Sequence, residues 1–198
     1  MKLNIGASNP SGAYRGPEWI NIDYSRHFRG TRRSRFALAD GTMLPFRDST
    51  FDEIHAIHVL EHVPRHLTRN GVNVDAHLAF VSEVGRVLTP NGVGFIEVPD
   101  FLAGCYIILS QAHQLVNAKP EDRARHLEEI RIRTVGVYGK GRHEGDFHRW
   151  GFTPWGMENL FTSAQLTYSR ETEMISAHYK QEPVMLYRVW RARDHSGH

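Results

Sequence analysis

Five short apolar runs in this chain of 198 residues each lead to a residue that can bind or closely approach a ligand. The runs close on Gly6, Asp23, Asp40, His58 and Asp100. A glycine lets the backbone come close to a bound group. A carboxylate ending a second strand can accept both hydroxyls of a ribose. One ending a third strand can accept from the exocyclic amine of an adenine. A histidine, with an ordinary pKa of about 6.5, takes up a proton near neutral pH. Two local clusters extend this set. His58-Val59-Leu60-Glu61-His62 offers imidazole and carboxylate, both ligand types for a divalent metal. The same residues serve as well to cap a helix or bond backbone, so no metal ligand is assigned. His143-Glu144-Gly145-Asp146-Phe147-His148-Arg149-Trp150 holds the best candidate base, His148, with Asp146 to orient its ring. Trp150 and Phe152 offer an apolar or sugar-stacking wall beside it. The plainer role for His148 is to pack the loop by bonding a backbone carbonyl. Asp100 and His58 are the other candidates for proton removal.

Elements of regular structure must carry these residues to one place. Lys2 to Gly6, Trp19 to Asp23, Phe36 to Asp40, Phe51 to His58 and Val93 to Val98 read as strands. Asp75 to Leu88 reads as a helix, with Leu78, Val81, Gly85 and Leu88 on one face and Asp75 or Asn73 as its cap. Thr89-Pro90-Asn91-Gly92 ends it. Residues 101–151 give mixed signals, with a charged helix over Pro120 to Ile132. Thr153 caps a helix over Pro154 to Ala164. Tyr168 to Ala177 and Val184 to Ala192 close the pattern as strands. Alternating strands and helical connections predict an α/β fold, a mostly parallel sheet covered on both faces. Ligands of such sheets bind beyond the carboxyl ends of the strands, which is where all five strand-end residues point.

Composition sets outer bounds. The length suits one domain with one core. A formal charge of +2 permits an anionic partner without demanding one. The run Arg26, His27, Arg29, Arg32, Arg33 and Arg35 can meet phosphate, although such runs are more often a solvated face. The lone cysteine, Cys105, excludes an internal disulfide and fits a cytoplasmic location. No apolar run is long enough to span a membrane. Gly6-Ala7-Ser8-Asn9-Pro10-Ser11-Gly12 does not supply the G-x-G-x-x-G turn of nicotinamide enzymes, and Pro10 spoils a helix start there.

The series KLNIGAS, WINID, ADGTMLPF, FDEIHAIHVLEHV, VGRVLTPNGVGFIEVPD and FHRWGFT resembles class I S-adenosylmethionine-dependent methyltransferases. It is most similar to small bacterial and phage members reading LNIG, GWINID, LPF, SFD, HVLEH, RVLKPGG and VPD. The resemblance covers most of residues 2–100 and resumes near 146–166. It implies a Rossmann-like sheet of seven strands, the last antiparallel, in a single domain over 1–198 with 101–151 as an acceptor-side lid or insertion. It also implies that Gly6, Ala7 and Ser8 form the turn beneath the methionine portion of the cofactor. Asp23 would hold the ribose, and Asp40 with Gly41 and Thr42 the adenine, with His58 beside them. Two departures stand out: Asn4 where the class usually has an acid, and Ser8 where it has a second glycine. The connection from Gly6 to Trp19 is short, which implies a truncated first helix. The expected activity is methyl transfer to a hydroxyl or amine of a small molecule or saccharide. The alternatives are a cofactor-binding partner protein without its own turnover and a nucleic-acid methyltransferase. The sequence has no N/D-P-P-Y/F/W motif and no paired catalytic cysteines, which disfavours those DNA chemistries.

Overall fold

A computed structural model describes residues 1–7, 14, 16–25, 35–141, 146–173, 175 and 182–192. Seven strands form one sheet: β1 (Lys2–Ile5), β2 (Trp19–Asp23), β3 (Arg35–Leu38), β4 (Phe51–Ile57), β7 (Leu88–Pro99), β8 (Leu166–Glu171) and β9 (Val184–Arg191). Their order is β3-β2-β1-β4-β7-β9-β8. β1, β2, β3, β4 and β7 pair in parallel, and β9 runs antiparallel to both β7 and β8. Strand order therefore reverses between β1 and β4, and the expected Rossmann-like sheet with an antiparallel last strand is present. Ligand sites of such sheets lie at that reversal.

The helices are α1 (Ala76–Val87), α2 (Phe101–Val116), α3 (Pro120–Tyr138) and α4 (Pro154–Ser163). Asp75 caps α1 by accepting from the Leu78 N–H at 3.1 Å, and Thr153 caps α4 by accepting from Gly156. The buried face of α1 is Phe80, Val81, Val84, Gly85 and Val87, while Leu78 is only partly covered. Each fully buried apolar side chain of this kind contributes about 1.5–3 kcal/mol. Phe51, Ile54 and Ala56 of β4, together with Ile96 and Val98 of β7, fill the centre of the same core.

Four expectations change. The segment after Asp100 is not irregular: it is the helical pair α2 and α3, and α3 runs on to Tyr138 instead of stopping at Ile132. β7 is longer than Val93–Val98, because the chain is already extended from Leu88. The β4 register jumps from Phe51↔Leu88 to Glu53↔Val93, so Thr89–Gly92 bulges out of the ladder. β8 begins at Leu166 and ends at Glu171, short of Ala177, and 176–177 lie outside the described residues. Finally, residues 66–75 form an unforeseen hairpin of β5 (His66–Arg69) and β6 (Val72–Asp75), turning through Asn70 and Gly71 at positive φ.

Candidate active site

Gly6 sits immediately past β1 with φ of +80°. A Cβ there would be strained by that φ and would also run into the Val59 side chain. The N–H groups of Gly6 and Ala7 both donate to the Ile22 carbonyl, at 2.9 and 3.0 Å, which locks this turn to the end of β2. Asp23 ends β2, and its Oδ1 accepts from the Ser25 N–H at 2.7 Å. Asn4, in the position of the usual acid, is buried and donates to Asn21 Oδ1 at 2.9 Å, tying β1 to β2 instead. Ser8 and the basic residues Arg26, His27, Arg29, Arg32 and Arg33 lie outside the described residues.

Asp40 follows β3 and is held from two sides. Its Oδ1 accepts from the Thr42 N–H at 2.8 Å and the Thr42 hydroxyl at 2.6 Å. Its Oδ2 meets Arg69 Nη2 of the β5–β6 hairpin at 3.2 Å. Arg69 also donates to the Thr42 carbonyl at 3.0 Å and to its hydroxyl. A carboxylate has about four acceptor positions. Three are used, which leaves one on Oδ2 for an amine. Gly41 packs closely enough on Phe80 that a Cβ would meet the ring at 2.5 Å. The loop continues into a second clamp. Arg86 donates to the Leu44 and Phe46 carbonyls at 3.0 and 2.8 Å, while Glu83 accepts from the Leu44 N–H at 2.6 Å. Arg69 was missed in the sequence because its partner is 29 residues away, on a hairpin that was not foreseen.

His58 ends β4 in a left-handed conformation, φ +54°. Its Nδ1 donates to Glu61 Oε1 at 3.1 Å, and its Nε2 lies 3.3 Å from Glu97 Oε1. Burial pushes the ring down, but the two carboxylates outweigh it and lift the pKa to about 9. His58 is thus a cation set between two buried acids at the sheet edge. Glu97, which also accepts from the Ile175 N–H at 2.8 Å, was not anticipated, because it looks like an ordinary alternating residue of β7.

A short turn, Leu60–His62, follows. The Glu61 carbonyl accepts from the N–H groups of Arg149 and Trp150 at 2.7 and 3.3 Å, so the 147–150 segment is stitched to this turn. His62 and His148 consequently stand ring to ring, with centroids 5.0 Å apart. Desolvation lowers the His148 pKa. Asp146 lies on the same stretch, whereas His143, Glu144 and Gly145 are outside the described residues. Asp100 caps α2 by accepting from the Ala103 N–H at 3.0 Å, with Arg170 3.5 Å from its other oxygen. A pocket brings Asp100, Arg133, His148, Trp150 and Glu182 together at this edge. Trp150 is exposed there with Arg65 over its ring, but Phe152 is buried in the core and cannot serve as a wall. Arg133 and Glu182 enter through α3 and the loop before β9, regions where the sequence offered no pairing signal.

Residues 6–96 match the methyltransferase domain family. That span carries Gly6, Ala7, Asp23, Asp40 to Thr42 and His58. The fold is similar to that of an S-adenosylmethionine-dependent methyltransferase from Methanosarcina mazei, with a TM-score of 0.56 at 16% identity, covering 95% of this chain and 90% of that one. The YcgJ protein of Bacillus subtilis gives 0.55 at 15% identity, covering 96% and 92%. A Burkholderia thailandensis 1,6-didemethyltoxoflavin-N1-methyltransferase, solved with 1,6-didemethyltoxoflavin and S-adenosylhomocysteine, gives 0.50 at 14% identity, covering 95% and 69%. No curated protein matches the chain in sequence. The matched domain and these folds support S-adenosylmethionine as the cofactor. Among the described residues, no helix is long and apolar enough to cross a membrane.

Proposed function

We propose that this chain transfers the methyl group of S-adenosylmethionine to a hydroxyl or amine of a small molecule or saccharide. The observation that carries the reading is the placement of Gly6, Asp23 and Asp40 at the carboxyl ends of three adjacent parallel strands, beside the reversal of strand order. The residues fit the cofactor. Gly6 turns the chain past β1 at φ +80° with no side chain of its own, Asp23 ends β2, where a carboxylate can accept ribose hydroxyls, and Asp40 has an acceptor position that an adenine amine can use.

The bound cofactor supplies an activated methyl on a sulfonium. The protein's tasks are to align an acceptor with it and to take a proton from that acceptor when it is a hydroxyl or an ammonium. His148 suits the second task. Burial lowers its pKa and so favours the neutral ring, one nitrogen of which can accept a proton. Asp100, Trp150 and Arg133 line the pocket next to it. Nε and Nη1 of Arg133 are buried without a hydrogen-bond partner among the described residues, an arrangement that suits an acceptor bearing a carboxylate or phosphate.

The test is transfer of a labelled methyl group from S-adenosylmethionine into pools of hydroxyl- and amine-bearing saccharides and small metabolites. Label appears in a low-molecular-weight product with the wild type and falls by roughly 10²–10⁴-fold with His148→Ala. Label confined to nucleic acid or protein pools contradicts the acceptor class.

A further inference from the structure

Three side chains at the acceptor edge have more in common than proximity. One ligand atom each from Glu61, His62 and His148 lies within 4.8 Å of the other two. Glu61 is 1% exposed; its Oε1 accepts from His58, while its Oε2 is buried with no hydrogen-bond partner among the described residues. A buried carboxylate oxygen without a donor is costly and rare. His62 Nδ1 lies 3.0 Å from the Phe147 carbonyl oxygen, which can only accept, so the proton is on Nδ1 and the lone pair on Nε2. Histidine ligands of metals commonly donate their other N–H to a backbone carbonyl, which sets tautomer and ring orientation. Here His62 does so, His148 stands ring to ring with it, and the acid beside them has an unused oxygen among the described residues.

We infer that Glu61, His62 and His148 form a binding site for one divalent transition-metal ion of the zinc type. Two imidazoles and one carboxylate are a familiar zinc donor set, and three protein ligands leave a position open for water or an acceptor oxygen. Tetrahedral donors at about 2.0–2.1 Å from an ion stand about 3.3 Å apart, so the side chains close by no more than about 1.5 Å. His62 and His148 are partly exposed, which gives an ion a way in, and Glu61 forms the floor. His58 is not a ligand: it holds Glu61 Oε1 and so aims Oε2 at the ion. His148 accepts a proton only in the ion-free chain; with the ion bound it is a ligand, and Asp100, which lines the same pocket, is the remaining proton acceptor. The site rests on its own geometry and stands whether or not methyl transfer is the activity.

The experiment is calorimetric titration of chelator-treated protein with Zn²⁺, together with the visible spectrum of the Co²⁺ form. The wild type takes up one ion per chain, and Co²⁺ gives the d–d bands of a four- or five-coordinate ion. His62→Ala and His148→Ala each weaken Zn²⁺ binding at least ~100-fold, as does Glu61→Gln. His66→Ala and His113→Ala, at exposed histidines elsewhere, leave it unchanged. Circular-dichroism melts show that each variant is folded, and S-adenosylhomocysteine titrations of the same samples report on the methyltransferase reading separately. A wild type that takes up neither ion, or takes up Co²⁺ with only the spectrum of the hexaaquo ion, overturns the site. Zn²⁺ binding by folded His62→Ala and His148→Ala at wild-type strength overturns it equally.

Discussion

Gly6 and Asp40 show how single residues at the strand ends are specialised. Gly6 is needed twice, for its φ of +80° and for the room Val59 takes above it. Gly6→Ala is expected to lower unfolding free energy by about 1–3 kcal/mol. Adding Val59→Ala removes the collision but not the backbone strain, so the double variant recovers only part of the loss in thermal melts. Full recovery would mean that the φ is not constrained. Asp40 depends on Arg69, which holds Oδ2 while Thr42 takes Oδ1. Arg69→Met leaves the carboxylate in place but less ordered. Its binding of S-adenosylhomocysteine should weaken by roughly threefold to fivefold, within the range for a partly exposed ion pair. Asp40→Ala should weaken binding by more. Equal affinities for Arg69→Met and wild type in calorimetry would show that the hairpin contact is irrelevant to the site. The strand-end residues were legible in the sequence because a strand that stops on Gly or Asp exposes that residue whatever its tertiary partners. Their partners were not legible, because Val59, Arg69 and Glu97 reach them from distant segments.

At the scale of elements, two clamps position the loop after β3. One is the β5–β6 hairpin through Arg69. The other is α1, through Glu83 and Arg86. Burial pushes the Glu83 pKa up, but hydrogen bonds from Arg86 and from the Leu44 N–H prevail and bring it below its ordinary value. A carboxyl depressed in the folded state stabilises above its unfolded pKa and loses that contribution as pH falls through the folded one. Glu83→Gln should therefore melt below the wild type at pH 6–7, and the gap should close below about pH 4. A gap that persists unchanged at pH 3 would place the effect in packing instead of charge. The pair α2 and α3 is held differently. Among its described residues only Gly104 and His126 are buried, while Tyr106, Leu109, Val116 and Leu127 are exposed. Amides of α2 and α3 should exchange with solvent well before those of β4 and β7. Similar protection across all four elements would contradict this. Thin burial also explains the sequence reading. The charged stretch Pro120 to Ile132 is legible as a helix, whereas Phe101–Val116 is apolar through its first half and polar only later, so its signal is mixed. The hairpin at 66–75 escaped for a related reason: its Asn70-Gly71 turn sits between strands of only four residues each.

For the whole molecule, the seven-stranded, mostly parallel sheet with an antiparallel last strand was legible because alternating strands and helices leave few topologies, and the resemblance over residues 2–100 selected one of them; the strand order β3-β2-β1-β4-β7-β9-β8 comes from the structure. The edge that carries His148 and Asp100 was only partly legible. His148 and Asp100 do meet in one pocket, but Glu61 and His62 join His148 through backbone bonds that no spacing encodes. The central claim is that the edge formed by Gly6, Asp23 and Asp40 binds S-adenosylmethionine. The most direct test is calorimetric titration of the purified chain with S-adenosylhomocysteine, comparing wild type with Asp23→Ala. The account predicts wild-type affinity on the order of micromolar, about 8 kcal/mol, and a loss of roughly 1.5–3 kcal/mol in the variant, as a charge-assisted contact to the ribose is removed. No measurable heat with the folded wild type, or the same affinity in both proteins, would contradict it.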